Sequence, residues 1–134
     1  MKLRAGVGVA ALCVAGIALP IWAHHSHGQY EDTFMDIEGV VKEVHLVVPH
    51  SWIYLEVKDP KGGEPQVWAL EATGRTQLEK IGVTKNYVQA GDTIKARCHH
   101  LRDGSNGCLL GFLKAKDGTV KDWDGNGAEL PKDF

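Results

Sequence analysis

The sequence predicts a small, mostly β protein with a single core, on three observations. Sixteen of its 134 residues are glycine and only 7% are aromatic, which is typical of turns and short strands rather than long helices. Short apolar runs alternate with polar residues at the two-residue period of strands, and clusters of Gly, Asp, Pro and Asn separate these runs. A chain of this length can bury one modest core.

The first 23 residues are predicted to be a signal peptide and are excluded from the fold prediction. Lys2 and Arg4 precede an apolar run over residues 5–19, and Ala23 is the small residue that a signal peptidase requires. We therefore expect export to the periplasm. The alternative is an uncleaved leader that anchors the protein in the inner membrane, because residues 5–23 are long enough to cross a bilayer as a helix.

The rest of the chain is predicted to have three parts: a His-rich lead-in over residues 24–36, a β-barrel over residues 37–115, and a polar, Asp/Gly-rich tail over residues 116–134. The net charge is −2, and because two of the 15 basic residues lie in the leader, the remainder is more acidic. This balance indicates neither a nucleic-acid surface nor an anionic-membrane surface. We expect no nucleic-acid partner, and a membrane contact only if the leader is not cleaved.

The first two strands are predicted on either side of a proline. Strand 1 covers residues 37–48, a β-branched stretch in which a bulge near residues 41–43 would reconcile its two faces. Pro49 has no amide hydrogen for a strand ladder, so the chain is expected to bend there. Strand 2 then places Ile53, Leu55 and Val57 on one face and Trp52, Tyr54, Glu56 and Lys58 on the other.

The remaining elements complete a barrel. Strands 3, 4 and 5 are predicted over residues 66–71, 93–101 and 108–114. A short helix follows strand 3, with Thr73 or Thr76 as the expected N-cap and Gly82 as the closing residue. The predicted order along the chain is three strands, one helix and two strands, and the first strand is long. This order fits a five-stranded OB-like barrel with the helix between strands 3 and 4.

Cys98 and Cys108 are the two cysteines that remain after the leader. They stand near the facing ends of strands 4 and 5, and exported proteins fold in an oxidising compartment, so we expect a cross-strand disulfide. The alternative is a pair of soft copper ligands beside His99 and His100.

A histidine cluster at the expected mature N-terminus is a candidate metal site. Cleavage after Ala23 would leave a chain that begins with His24 and His25, and an N-terminal histidine offers both its α-amino nitrogen and its imidazole to one ion. With a third nitrogen from elsewhere, this ligand set suits Cu(II). Cleavage one residue earlier would place a histidine third, which also favours copper. A flexible polar spacer is the alternative.

His50 is the third candidate ligand. It follows Pro49 at the bend between strands 1 and 2, where a side chain can project from the barrel rim. The alternative at this position is a histidine that is hydrogen-bonded to a loop carbonyl. Trp52 and Tyr54, on the polar face of strand 2, are a possible ligand rim.

We therefore predict a periplasmic copper-binding protein with His24, His25 and His50 as metal ligands. It would act in storage, in delivery, or as an accessory to an exported oxidoreductase or another envelope protein. The alternative is a metal-free OB-like interaction module that docks a protein or a small ligand. The chain has no paired carboxylates, nucleophile–base spacing or phosphate loop, so an enzyme is not predicted. A metalloenzyme, the third possibility, would need an open coordination position and a base.

The tail carries Asp122, Asp124 and Asn126 at the spacing of a calcium loop. Glu129 occupies a position of such loops that is usually apolar. A glycine-rich turn is therefore expected here rather than a calcium site.

Six short motifs of this chain occur together in one known family. They are Ala23-His24-His25-Ser26, Gly39-Val40-Val41, Pro49-His50-Ser51-Trp52-Ile53, the strand from Trp68 to Glu71, Ala90-Gly91-Asp92 and Arg102-Asp103-Gly104-Ser105. In these motifs the chain resembles the DUF6152 family of small exported bacterial proteins. The resemblance implies a Gram-negative envelope protein without an established activity, with His24, His25, His50 and Trp52 as its functional candidates. His27, the cysteine pair and the Asp-rich tail depart from the family pattern.

Overall fold

The computed structural model describes residues 27–134. A single 3-10 turn, His27–Gln29, leads into the first strand. The elements that follow are β1 (Tyr30–His45), β2 (His50–Val57), β3 (Gln66–Thr73), α1 (Arg75–Lys80), β4 (Thr93–Leu101), β5 (Gly107–Lys114) and β6 (Val120–Asp122). Helix α1 has six residues, and within residues 27–134 no helix combines the length and the apolar character that crossing a bilayer requires.

The strands close into a five-stranded barrel. The sheet order is β3-β2-β1-β4-β5-β6, and all of these neighbours are antiparallel. A further, parallel pairing between β3 and β5 closes the barrel. The prediction of a mostly β, OB-like barrel with one short helix between strands 3 and 4 is confirmed.

The core contains the side chains that the strand alternation assigns to it. Ile53 and Leu55 of β2 are fully buried, whereas Trp52 and Tyr54 lie half-buried on the outward face. The predicted bulge in β1 is present as a register shift between Val41 and Glu43. The largest fully buried side chains include Trp123, Ile53, Leu55, Leu70, Leu78, Ile94, Leu110 and Leu113.

Strand β1 begins and ends earlier than the predicted range of residues 37–48. It runs from Tyr30 to His45, and its first half pairs with β4. Across this pairing, the Arg97 guanidinium donates two hydrogen bonds of 2.7 and 2.9 Å to the Asp36 carboxylate. These bonds hold the pKa of Asp36 below its usual value. The first half of β1 is therefore ordered by strand pairing and by an ion pair. Because it is polar, it could not be predicted from an alternation of apolar residues.

Part of the segment predicted as a polar tail belongs to the barrel. Strand β6 pairs with the end of β5, and Trp123, which follows β6, is fully buried. The backbone N–H of Trp123 donates to the carbonyl of Gly111 at 2.7 Å. The Trp123 carbonyl accepts a hydrogen bond from the backbone N–H of Thr73 at 2.9 Å. These contacts join the chain after β6 to both β5 and β3.

Helix α1 begins without a side-chain cap. Its N-cap residue is Gly74, so the prediction that Thr73 or Thr76 caps the helix is wrong. The backbone N–H of Arg75 donates instead to the carbonyl of Val47, in the loop between β1 and β2, at 2.9 Å. A Cβ atom on Gly74 would lie 2.5 Å from another carbonyl oxygen of this loop. Glycine therefore allows the loop that leads into β2 to pack against the start of the helix.

Cys98 and Cys108 form the predicted disulfide, and both residues are fully buried. Cys108 stands opposite Leu70 in the parallel pairing that closes the barrel. The alternative interpretation of these cysteines, as soft copper ligands, is wrong for the oxidised pair because neither sulfur is a free thiolate.

Replacing Gly39 with alanine is expected to lower the free energy of unfolding by about 1–3 kcal/mol. A Cβ atom at this position of β1 would overlap the backbone oxygen of Glu56 and lie 2.9 Å from the Leu55 side chain. Strands β1 and β2 would have to move apart. Urea denaturation measures the change, and Gly28→Ala is the control because a Cβ there meets nothing within 4 Å. Equal effects of the two substitutions would contradict the steric explanation.

Candidate functional site

Three side chains from three strands form a hydrogen-bonded chain, which we call the His50 site. His50 is the first residue of β2, Glu71 lies in β3, and Tyr30 is the first residue of β1. His50 Nδ1 lies 2.8 Å from Glu71 Oε1. The Tyr30 hydroxyl donates to the other carboxylate oxygen, Glu71 Oε2, at 2.5 Å. The carboxylate thus bridges the histidine and the tyrosine.

The register between β2 and β3 brings His50 and Glu71 to the same face of the sheet. In the β2–β3 ladder, His50 is opposite Thr73 and Trp52 is opposite Glu71. Opposed residues and residues two apart on a strand share a face of the sheet. His50, Trp52 and Glu71 therefore all project outward, on the side away from Ile53.

Glu71 is buried although it belongs to the outward face. Its relative exposure is 6%, and that of Tyr30 is 5%. A buried carboxylate is costly unless it is hydrogen-bonded, and here each oxygen has a partner. Burial and the hydrogen bond to Glu71 raise the pKa of Tyr30 far above its usual value, so its hydroxyl keeps its proton and donates.

The hydrogen bond to Glu71 determines which nitrogen of His50 is available. A carboxylate accepts hydrogen bonds, so the proton of the neutral ring lies on Nδ1 and the lone pair lies on Nε2. No hydrogen bond within residues 27–134 engages Nε2. The His50 side chain is 37% exposed, so part of the ring faces solvent. An imidazole held by a carboxylate in this way is the usual form of a metal-ligating histidine.

His24 and His25, the other predicted metal ligands, lie outside the described residues. Their distance from the His50 site is nevertheless limited by the chain. Tyr30 belongs to the site and follows His24 by six residues, and an extended chain spans about 3.3–3.6 Å per residue, or about 20 Å over six. The chain therefore sets an upper limit of about 20 Å on the distance between His24 and Tyr30.

The described part of the chain does not supply a complete metal centre. Within residues 28–134, no three or more His, Cys, Asp or Glu side chains are grouped so that they could hold a metal ion. A metal ion at His50 would therefore need ligands from residues 1–27 or from another molecule.

Trp52 and Tyr54, the predicted ligand rim, lie next to His50 on the same outward face. His45 packs edge-on against Tyr54, with 5.6 Å between ring centroids, and its Nε2 lies 2.8 Å from Glu43. The loop before His50 carries Val47 and the 65% exposed Val48. This face therefore combines aromatic, apolar and ionisable side chains.

His99 and His100 are engaged elsewhere. His99 stacks on Phe34, with 4.1 Å between ring centroids, and its Nδ1 lies 3.2 Å from the carbonyl of Thr33. His100 Nε2 lies 2.9 Å from the carbonyl of Ser105. His99 also lines a small pocket together with Tyr30 of the His50 site.

The segment with calcium-loop spacing is closed by its own hydrogen bonds. The buried carboxylate of Asp122 accepts from the backbone N–H groups of Asp124 and Ala128, each at 3.0 Å. Asn126 donates its side-chain amide to Asp124. Both oxygens of Asp122 thus stabilise the turn that follows β6.

Glu71 and Tyr30 are the site residues that sequence reasoning missed. Glu71 is a single acidic residue within the otherwise apolar run of β3, and this was the available signal. Tyr30 was assigned to the polar lead-in, because nothing local shows that its hydroxyl reaches a carboxylate 41 residues away.

Comparisons with known proteins give a family and distant structural likenesses. A family model described as "Family of unknown function (DUF6152)" matches residues 10–110. No curated protein matches the sequence. Two crystal structures of the mitochondrial single-stranded DNA binding protein Rim1 from S. cerevisiae are similar at 11% and 10% identity, with TM-scores of 0.48 and 0.45. Each likeness covers 62% of this chain and 92% of the other.

Proposed function

The chain belongs to the DUF6152 family, whose function is unknown, and from its own residues we propose that it binds a copper ion through His50 and the N-terminal histidines. In this proposal the protein is exported to the periplasm. There it stores or delivers copper, or serves as an accessory to an exported oxidoreductase or another envelope protein.

The contact between His50 and Glu71 carries the proposal. A buried carboxylate 2.8 Å from Nδ1 orients the ring and directs the Nε2 lone pair outward. A histidine that only packs on a surface has no need of a buried acid.

The N-terminal histidines would complete the coordination. His24, if it is the first residue of the processed chain, offers an amine and an imidazole, and His25 offers a second imidazole. Together with His50 Nε2 these groups form a nitrogen-rich set, which Cu(II) binds more strongly than the other divalent first-row metals. The short link to Tyr30 would allow this set to approach His50.

A metal-free docking role is the second candidate. The specific observation in its favour is the exposed Val47-Val48 pair in the loop that leads into β2, the strand that carries Trp52 and Tyr54 on its outward face. Aromatic residues surrounded by apolar surface are frequent at protein interfaces. In this alternative, His50 would hydrogen-bond to a partner protein instead of a metal.

Replacing His50 with alanine is expected to weaken Cu(II) binding by the exported, processed protein at least tenfold, because one ligand is lost. Isothermal titration in a competing buffer would measure the affinity, after mass spectrometry has identified the first residue. Acetylating the mature N-terminus is expected to weaken binding as well, since it removes the amine ligand.

His45→Ala is the matched control, because His45 also lies on the outward face but pairs with Glu43 and not with Glu71. It should leave the copper affinity within twofold of the unmodified protein. If His50→Ala and His45→Ala behave alike, or if copper binds no better than to a peptide of residues 24–30, the metal proposal is wrong and the docking role is favoured.

A further inference from the structure

A groove on another part of the molecule lies between the end of α1 and the chain that follows β6. Its volume is about 440 Å³, within the range of small-molecule sites. Ile81, Val120 and Leu130 supply apolar walls, and Lys80 and Lys121 supply cations. Leu130 is 46% exposed, so apolar surface here faces solvent. The groove shares no lining residue with the His50 site.

Lys121 is held in a defined position in this groove. Its ammonium donates to the backbone carbonyl of Ile81 at 2.6 Å and lies 5.3 Å from the centre of the Tyr87 ring. Gly82 leaves space for this approach, because a Cβ there would lie 3.2 Å from the Lys121 nitrogen. An ammonium group has three N–H donors, and the Ile81 carbonyl uses one of them. The others remain for a ligand.

The positive charge of the groove is not neutralised by an ion pair. Among residues 27–134, no carboxylate lies within 4.0 Å of the ammonium of Lys80 or Lys121. Asp122 also lines the groove, but both of its oxygens accept backbone hydrogen bonds from the turn after β6. The groove therefore presents apolar walls together with two cations that no carboxylate of residues 28–134 contacts, although the charge of Asp117 acts on Lys121 from a longer distance.

We propose that this groove binds a free fatty acid, with the carboxylate at Lys121 and the alkyl chain against Ile81, Val120 and Leu130. Charge complementarity selects an anionic head group, and the apolar walls select a hydrocarbon tail. An ion pair in open solvent contributes little, because water competes for the carboxylate. The contact with Lys121 therefore adds to affinity only where the alkyl chain of the ligand is also buried. The groove thus selects both the anionic head group and the hydrocarbon tail of the ligand.

Decanoate and decanol are the probes, since they share a chain and differ in charge. Titration calorimetry with the full chain, below the concentration at which either probe aggregates, should show one saturable site that prefers decanoate at least tenfold. EDTA in the buffer separates this result from copper binding. Lys121→Met should reduce the decanoate affinity to that of decanol, and Leu130→Ser should weaken both probes.

Lys58→Met is the charge-matched control, because Lys58 is exposed and borders a different pocket, and it should leave both affinities unchanged. Thermal unfolding verifies that each variant is folded. The proposal is overturned if decanoate does not saturate. It is also overturned if Lys121→Met preserves the preference for decanoate over decanol. Leu130→Ser gives an independent answer at an exposed residue, where loss of binding cannot be attributed to a damaged core.

Discussion

Replacing Glu71 with glutamine is expected to weaken Cu(II) binding by about 10- to 100-fold, the usual effect of losing the carboxylate behind a metal-ligating histidine. Glutamine has the same shape, so its carbonyl can still accept from His50 Nδ1, but its amide nitrogen cannot accept the hydrogen bond that the Tyr30 hydroxyl donates to Glu71. The amide has one acceptor oxygen for two donors, so it holds the His50 ring less firmly than the carboxylate does. The protein should therefore bind copper less tightly and lose some stability, and copper titration and urea denaturation would measure the two effects separately.

Glu56→Gln is the matched control for this substitution. Glu56 is a glutamate on the outward face of β2, partly exposed and 3.5 Å from Lys42. Its replacement should change the copper affinity by less than twofold. Tyr30→Phe separates the two contacts of Glu71, because it removes the tyrosine hydroxyl and leaves the His50 contact. A Glu71→Gln protein that binds copper like the unmodified protein would show that His50 does not depend on this carboxylate.

The barrel could be predicted because its signals are local. The alternation from Trp52 to Val57 identifies both faces of β2, and turn-forming clusters mark where strands end. The disulfide followed from the positions of two cysteines on adjacent strands. Each of these features depends on residues close in sequence or on the pairing of consecutive strands. None of them requires knowledge of the whole fold.

The features that escaped prediction depend on distant pairing. The first half of β1 is polar and is ordered by its contact with β4, so its side chains carry no apolar period. Trp123 is buried because β6 adds to β5, and a three-residue strand has too few positions to show an alternation.

The same distinction between local signals and distant pairing applies to the candidate site. The candidate histidines could be predicted from their residue type and from their positions, His24 and His25 after the predicted cleavage site and His50 after Pro49. The carboxylate that orients His50 was not recognised, because a lone acid in a strand cannot be assigned a face or a partner before the register is known. The closure of the barrel between β3 and β5 places Glu71 next to Leu109, and β1 returns to place Tyr30 against it. A site of this kind is therefore a product of barrel closure.

The disulfide lies at that closure, and its removal is expected to have the largest effect on stability. The parallel pairing of β3 with β5 joins only Ala69, Leu70 and Glu71 to three residues of β5. Cys108 is the central partner in β5, and the disulfide connects it to β4. The bridge thus links the seam of the barrel to the next strand, one residue along β3 from the carboxylate of the His50 site.

The Cys98→Ala/Cys108→Ala variant is expected to lose about 2–3 kcal/mol of unfolding free energy, because the cross-link no longer restricts the unfolded chain over a sequence separation of 10. Alanine is preferred to serine, since a hydroxyl at these fully buried positions would need a hydrogen-bond partner. Urea denaturation of the oxidised protein and the variant measures the difference. Reductant is the control: it should destabilise the original protein to the level of the variant and leave the variant unchanged. A loss below about 1 kcal/mol would mean that apolar packing alone closes the barrel.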